Sequence, residues 1–249
     1  MIKVENLTKK FDIKNKGKKD VKVALNEITF EIQKGSVVGL IGANGSGKST
    51  LLKVISSLYQ PSNGIVHVDG LDVTKHQDET KKKIGILFGG EAGLYGRLTA
   101  FENIKYFGEL NGLELDEINQ AIEEYETFFN MKDYMHRRVE NFSRGMKQKV
   151  LFLRSVIHNP EIIILDEPST GLDVAGINEV AEFIRFNKRN HKTIIISSHN
   201  MNEIASLCED LIILRDGNLA YFGPISNLVT KQGNYDQLYE LMGVKYERV

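Results

Sequence analysis

The residues Gly42-Ala43-Asn44-Gly45-Ser46-Gly47-Lys48-Ser49-Thr50 have the types and spacing to hold a chain of phosphates. Glycines let successive backbone N–H groups turn inward on an anion, and a helix beginning just after them presents its positive end. The apolar run Val37-Val38-Gly39-Leu40-Ile41 precedes the loop, and Leu51, Leu52, Ile55 and Leu58 follow at helical spacing. Strand, glycine turn and helix therefore occur in the order that a phosphate loop needs. Lys48 can reach the β- and γ-phosphates of a nucleotide, and the Ser49 hydroxyl can sit on the metal ion that accompanies them.

Other polar residues stand where strands or helices should end. Ile162-Ile163-Ile164-Leu165 is an apolar strand closed by Asp166 and Glu167. Ligands of parallel sheets lie beyond the carboxyl ends of the strands. There Asp166 can accept from a magnesium-bound water, because magnesium keeps much of its hydration shell. Glu167, one step further out, can orient or deprotonate an attacking water. Acidic turns after strands are common, so the pair takes its meaning from the phosphate loop. His199 closes the apolar run Thr193 to Ser198. A histidine there is either structural or set beside a departing γ-phosphoryl group, and the loop favours the second. Asn141 to Gln148 opens a helix that should run to His158, with Ser143 as its cap. Alone these residues read as a plain capped helix; beside the phosphate loop, free N–H groups at that positive end read as a second anion site.

These groups need a scaffold of strands feeding helices. Ile162 to Leu165 and Ile194 to Ile196 are fully apolar and are separated by a helical pattern through Ile177, Val180 and Ile184. Buried runs alternating with helices predict a parallel sheet with crossover connections. Residues 2–35 and Ile65 to Asp69 alternate as half-buried strands, with the turn Pro61 to Gly64 before the second. From about 95 to 158 the pattern is helical: Ile118, Ile122, Tyr125 and Phe129 form one apolar face, with Glu117, Glu123, Glu124 and Glu126 on the wet one. Leu211 to Arg215 and Asn218 to Phe222 flank Asp216-Gly217, a hairpin signal. A short helical tail around Leu238 and Leu241 follows Pro224. Between Phe11 and Val23 lies an insert with Lys14, Lys16, Lys18, Lys19 and Lys22. It reads as a solvated hairpin tip or as a contact for anionic lipid headgroups.

Bulk properties narrow the classes. At 249 residues, with 41% hydrophobic and 26% charged residues, the chain can bury its own core. A net charge of −1 gives no reason to expect a nucleic-acid partner. Cys208 stands alone, so no disulfide framework exists, which suits a reducing compartment. The first residues lack a signal-peptide core, and no apolar run is long enough to span a bilayer. Any membrane role is expected to come through a partner.

Taken together, the motifs resemble those of the nucleotide-binding subunits of ATP-binding cassette (ABC) transporters. The phosphate loop, the signature at Phe142–Met146, the strand ending at Asp166-Glu167, the D-loop Thr170-Gly171-Leu172-Asp173 and the switch His199 occur in family order. The resemblance covers residues 1 to about 225. It implies an α/β P-loop NTPase (RecA-like) core with a parallel sheet, an N-terminal antiparallel β subdomain and a helical subdomain. One ABC ATPase domain over 1–225 is expected, its core and β subdomain at about 1–94 and 159–225, its helical subdomain at about 95–158, and a tail at 226–249. The resemblance further implies ATP and Mg2+ as cofactors, with Glu167, His199 and Lys48 catalytic and Ser49 and Asp166 on the metal. Gly42, Asn44, Gly45, Ser46, Gly47, Lys48, Ser49 and Thr50 would bind nucleotide. Ser143, Gly145 and Asp173 would bind it from a second copy in a head-to-tail homodimer. Phe11 matches the position that stacks on adenine, although a buried strand Phe is an equal reading.

This sequence departs from the family twice. The signature reads Phe-Ser-Arg-Gly-Met, where Leu-Ser-Gly-Gly-Gln is usual, and the Q-loop region Ile84 to Glu91 has glycine in place of glutamine, with Glu91 the candidate substitute. Both departures resemble the ATPase subunits of bacterial sodium-extrusion systems. That likeness implies sodium export through a separate permease docked near the helical region and Gly89–Arg97, on the cytoplasmic face of the cell membrane. Two rival readings remain. One is a soluble ABC ATPase outside transport, such as a cluster-assembly ATPase. The other is a module that binds nucleotide without turnover, which Glu167 and His199 argue against.

Overall fold

The computed structural model describes residues 1–15, 18–88, 93–228 and 235–243. They fall into two compact units, Met1–Lys81 with Thr193–Val249, and Lys82–Lys192.

In the first unit, β1 (Ile2–Asn15) and β2 (Lys18–Ile32) pair antiparallel, and β4 (Asn63–Val68) and β5 (Leu71–Asp72) extend the sheet on the other side of β1. A second layer is built on β3 (Val37–Ile41), buried at all five positions. It lies parallel to β8 (Thr193–Ser197) on one side and β9 (Asp210–Arg215) on the other, and β10 (Asn218–Pro224) closes the edge antiparallel to β9. Strands covered on both faces read as unbroken apolar runs, which is why β3 and β8 do not alternate. Helix α1 (Lys48–Ile55) follows β3, and α7 (Met201–Leu207) carries the chain from β8 across to β9. The short helices α2 (Gln77–Lys82) and α8 (Asp236–Met242) complete the helices that this unit holds or borders. Phe30 of β2 and Phe222 of β10 meet at 5.6 Å between ring centroids, which joins the two layers.

The second unit contains the parallel pair β6 (Ile84–Leu87) and β7 (Ile162–Asp166), with α3 (Ala100–Leu110), α4 (Leu115–Phe129) and α5 (Arg144–Val156) between them, and α6 (Val174–Arg189) after β7. Helix α4 buries Ile118, Ile122, Tyr125 and Phe129 and leaves Glu117, Glu123 and Glu124 in solvent, as the periodicity predicts. The rings of Phe129, Phe152 and Phe183 lie 5.1–5.7 Å apart and lock α4, α5 and α6 together. Each fully buried ring contributes several kcal/mol, on the order of 3–5 if truncated to Ala. This architecture is the α/β P-loop core with an antiparallel β layer and a helical segment.

One segment keeps to the sequence reading and one departs from it. The lysine-rich insert is a ribbon in which β1 and β2 stay paired from Phe11↔Lys22 to Asn15↔Lys18, past the last β1–β4 pairing at Thr8↔Asn63. Helix α1 stops at Ile55 rather than continuing to Leu58, which is 49% exposed. Ser57 ends it by taking φ +60° and donating to the Val73 carbonyl at 2.6 Å.

Candidate functional site

The first unit brings the phosphate loop and His199 to one sheet edge. β3 and β8 run in parallel with Leu40 opposite Ser197, so Gly42–Gly47 and His199 both leave the carboxyl ends of neighbouring strands. Helix α1 starts from Gly47 at φ +108° with no side-chain cap and no acidic residue in its first turn. A helix start without a side-chain cap or an acidic first turn suits an anion. Lys48 is 8% exposed, and its ammonium donates to the carbonyls of Gly42 at 2.7 Å and Ala43 at 3.3 Å, so the cation already lies inside the loop. Ser46 Oγ is buried without a hydrogen-bond partner among the described residues. Gly42, at φ +155°, admits no side chain, because a Cβ there would run into the Leu214 carbonyl and the Ser46 hydroxyl. An uncapped helix end, an inward cation and an orphaned hydroxyl together fit a phosphate chain. Ser49 and Thr50 extend α1 by the next two residues, with Ser49 exposed, and Asn44 and Gly45 form the open rim of the loop.

Some of what holds this edge was not legible as motif. The Gly217 N–H, in the β9–β10 turn, donates to the Ser46 carbonyl at 3.0 Å and braces the loop from behind. Around exposed His199, Ser198 Oγ donates to Glu203 at 2.5 Å and accepts from the Asn200 N–H at 3.0 Å. Asn200 then caps α7 by accepting from Asn202 and Glu203 at 3.1 and 3.3 Å. The only prior sign was polar residues after an apolar strand, which says nothing of who bonds whom.

Phe11 sits half-buried on β1, edge-on to Tyr59 at 5.6 Å, with the Lys9 ammonium 5.0 Å from its ring. Lys53 of α1 lies over Tyr59 at 5.3 Å, which ties this aromatic corner to the helix that starts at the loop.

The second unit holds the remaining candidates. Asp166 ends β7, and Glu167 follows in the left-handed region at φ +53°, its Oε2 accepting from the Thr170 hydroxyl at 3.2 Å. A bulky non-glycine residue held there is strained, and such strain collects at functional sites. Gln148 of α5 donates to the Pro168 carbonyl at 3.1 Å and so ties the turn after Glu167 to the signature helix. Ser143 caps α5, accepting from the Met146 N–H at 3.3 Å, and the space beside Gly145 is open, with nothing within 4 Å of a Cβ built there. Asp173 caps α6 through the Gly176 N–H at 2.8 Å. The starts of α5 and α6 line one cavity of about 420 Å3, with Phe129, Phe152 and Val180 also in its wall. Lys149 crosses that wall to Glu179 at 2.8 Å and to the Phe129 carbonyl at 3.0 Å. Gly89, Gly90 and Glu91 of the Q-loop segment lie outside the described residues.

Among the described residues no three His, Cys, Asp or Glu side chains cluster to hold a metal by themselves. The Ser49 hydroxyl, in the first turn of α1, and the Asp166 carboxylate, at the end of β7, are each hard oxygen donors of the kind that Mg2+ takes. No described helix is long and apolar enough to cross a membrane.

Comparison with known proteins gives the same reading. Residues 25–170 match the family model described as ABC transporter. The ABC transporter ATP-binding protein NatA of Bacillus subtilis (strain 168) is 48% identical over 225 residues, covering 90% of this chain and 92% of that one. An uncharacterised ABC transporter ATP-binding protein of Methanocaldococcus jannaschii is 38% identical over 95% of this chain and 82% of its own length. Among solved structures, an ATP-binding cassette captured as a dimer in a post-hydrolysis state with ADP and Pi matches with a TM-score of 0.80. It is 27% identical and covers 90% of this chain and 99% of that one. The chain belongs to the ATP-binding subunits of ABC transporters, closely related to NatA, and is an ATPase that uses ATP with Mg2+.

Proposed function

We propose that this ATPase closes into a head-to-tail homodimer on ATP and drives a separate membrane permease that exports sodium. The observation that carries the reading is the pair of anion-ready helix ends, an uncapped α1 around Lys48 and a serine-capped α5 beside the open Gly145. One helix end with one lysine offsets only part of a triphosphate's charge, since a helix terminus carries about half an elementary charge. A second end, from another copy, completes the cage.

In this reading the backbone of Gly42–Gly47 wraps the β-phosphate, and Lys48 turns from the loop carbonyls to the β- and γ-oxygens. Ser49 and Asp166 would hold Mg2+, which when bound would supply positive charge against the phosphate oxygens. Glu167 takes a proton from water as its oxygen bonds to the γ-phosphorus. The bond to the bridging oxygen breaks, and its electrons leave with ADP. His199 donates to the γ-phosphate, Phe11 stacks on adenine, and Ser143, Gly145 and Asp173 approach from the other copy. Loss of the γ-phosphate removes what joins the subunits, and reopening moves the permease. Tyr95, Tyr106 and Leu110, exposed by 50%, 40% and 62%, give the helical segment an apolar face on which a permease can dock at the membrane's cytoplasmic side. Sodium as cargo rests on likeness to NatA, since nothing in these residues selects an ion.

Glu167→Gln tests the cycle. ATP binding should persist, phosphate release should fall by about 10²–10⁴-fold, and a dimer should accumulate on gel filtration with MgATP. Robust turnover by this variant would remove Glu167 from its role. Sodium uptake into inside-out vesicles carrying both proteins tests the cargo, and ATP-independent or absent uptake would reject it.

A further inference from the structure

Arg144 is the residue by which this signature differs most in charge from the family's usual glycine. It is the first residue of α5, between the Ser143 cap and Gly145, and it is exposed. Its guanidinium lies against Gly171 in the turn after β7, so closely that a Cβ built on Gly171 would clash with its Nη1, Cζ and Nε atoms. Gly171 has φ +75° and is glycine on both counts. Arg144 makes no ion pair with any described acidic residue. Both residues line the 420 Å3 cavity, which leaves the side chain room to leave its resting place.

A full cation resting on a glycine, without a carboxylate, beside an anion-ready helix end, is placed for a phosphate that a single subunit does not supply there. Arginine suits that task, since its planar fork pairs with two phosphate oxygens at once. Asp166 and Glu167 add negative charge to a site already crowded by the triphosphate, so one more cation is worth most in the closed dimer, away from bulk water. We propose that Arg144 binds nucleotide in trans: in the closed dimer its guanidinium leaves Gly171 and engages the γ-phosphate of the ATP held by the second copy. This rests on the head-to-tail reading above. It adds a charge that the usual Leu-Ser-Gly-Gly-Gln signature lacks, and it makes closure of this dimer depend on salt.

The test uses the full chain carrying Glu167→Gln, with Arg144→Gln, Arg144→Lys or Arg144→Gly added. Dimer dissociation constants are measured with MgATP by analytical ultracentrifugation at two salt concentrations, and ATP affinity is measured on dilute monomer. Arg144→Gln and Arg144→Gly should weaken the ATP dimer at least tenfold and flatten its salt dependence, Arg144→Lys should recover most of the loss, and monomer affinity should stay within twofold. Dimers of unchanged strength in Arg144→Gln would overturn the proposal. So would equal losses in the Lys and Gln variants, which would mean packing on Gly171 rather than charge, or a loss of monomer affinity, which would mean action on the subunit's own ATP. A parent that never dimerises would instead reject the head-to-tail reading itself, a distinct outcome.

Discussion

Glu167 sits in a left-handed backbone conformation, φ +53°, that costs a residue with a Cβ roughly 1 kcal/mol or more. The Thr170 hydroxyl, at 3.2 Å from Oε2, steadies the Glu167 side chain in the turn after β7. This separates two substitutions that both remove the carboxylate and the Thr170 contact. Glu167→Gly should be more stable than Glu167→Ala by about 1 kcal/mol in urea unfolding, although both lose hydrolysis. Equal stabilities would mean that the turn stores no strain. Lys48 gives a second prediction at this scale. Its ammonium is held within the loop by the Gly42 and Ala43 carbonyls, so only a short turn would bring it to a phosphate there. Lys48→Ala should weaken ATP binding on the order of tenfold or more and abolish phosphate release. A variant that binds and turns over ATP normally would remove Lys48 from the site.

Elements position these residues, and they differ in how much of themselves they disclose in sequence. β3, β7 and β8 announce themselves as apolar runs because they are buried on both faces, and α4 does so by its period. The loop Gly42–Gly47, the Ser143 cap and the Asp216-Gly217 turn are legible because each rests on local backbone chemistry. What stayed hidden depends on distant partners. Helix α1 ends early because Ser57 bonds Val73, and Arg144 rests on Gly171; neither contact has a local signature. The turn carrying His199 is the most consequential of these. Asn200 caps the seven-residue α7 with two backbone bonds, and Ser198 joins the same turn to Glu203. Asn200→Ala should cost about 1 kcal/mol of stability. It should also lower kcat more than it weakens ATP binding, because it loosens the imidazole rather than the phosphate loop. Asn200→Asp, which keeps a capping oxygen, should restore most of both. If Asn200→Ala leaves kcat intact, the cap does not position His199.

At the scale of the whole molecule, each chain carries two helix starts without acidic residues in the first turn, one uncapped and one capped by Ser143, and in the head-to-tail reading a single copy uses only one of them on its own nucleotide. Activity should then follow the concentration of pairs. Below the dimer dissociation constant the paired fraction rises in proportion to protein concentration. Specific ATPase activity should therefore fall about tenfold for each tenfold dilution in that range, and level off above it. The chain also permits a direct geometric check, because Cys208 is its one cysteine and is buried. With Cys208 replaced by Ser, one chain can carry Asn44→Cys, at the exposed rim of the loop, and another Ser143→Cys at the start of α5. Mixed with MgATP under mild oxidation, the two should form a crosslinked heterodimer, and either alone should form far less of one. Specific activity that stays flat from micromolar to nanomolar protein, with no crosslink between the two chains, would mean that each subunit completes its own site. The second helix end would then need another purpose.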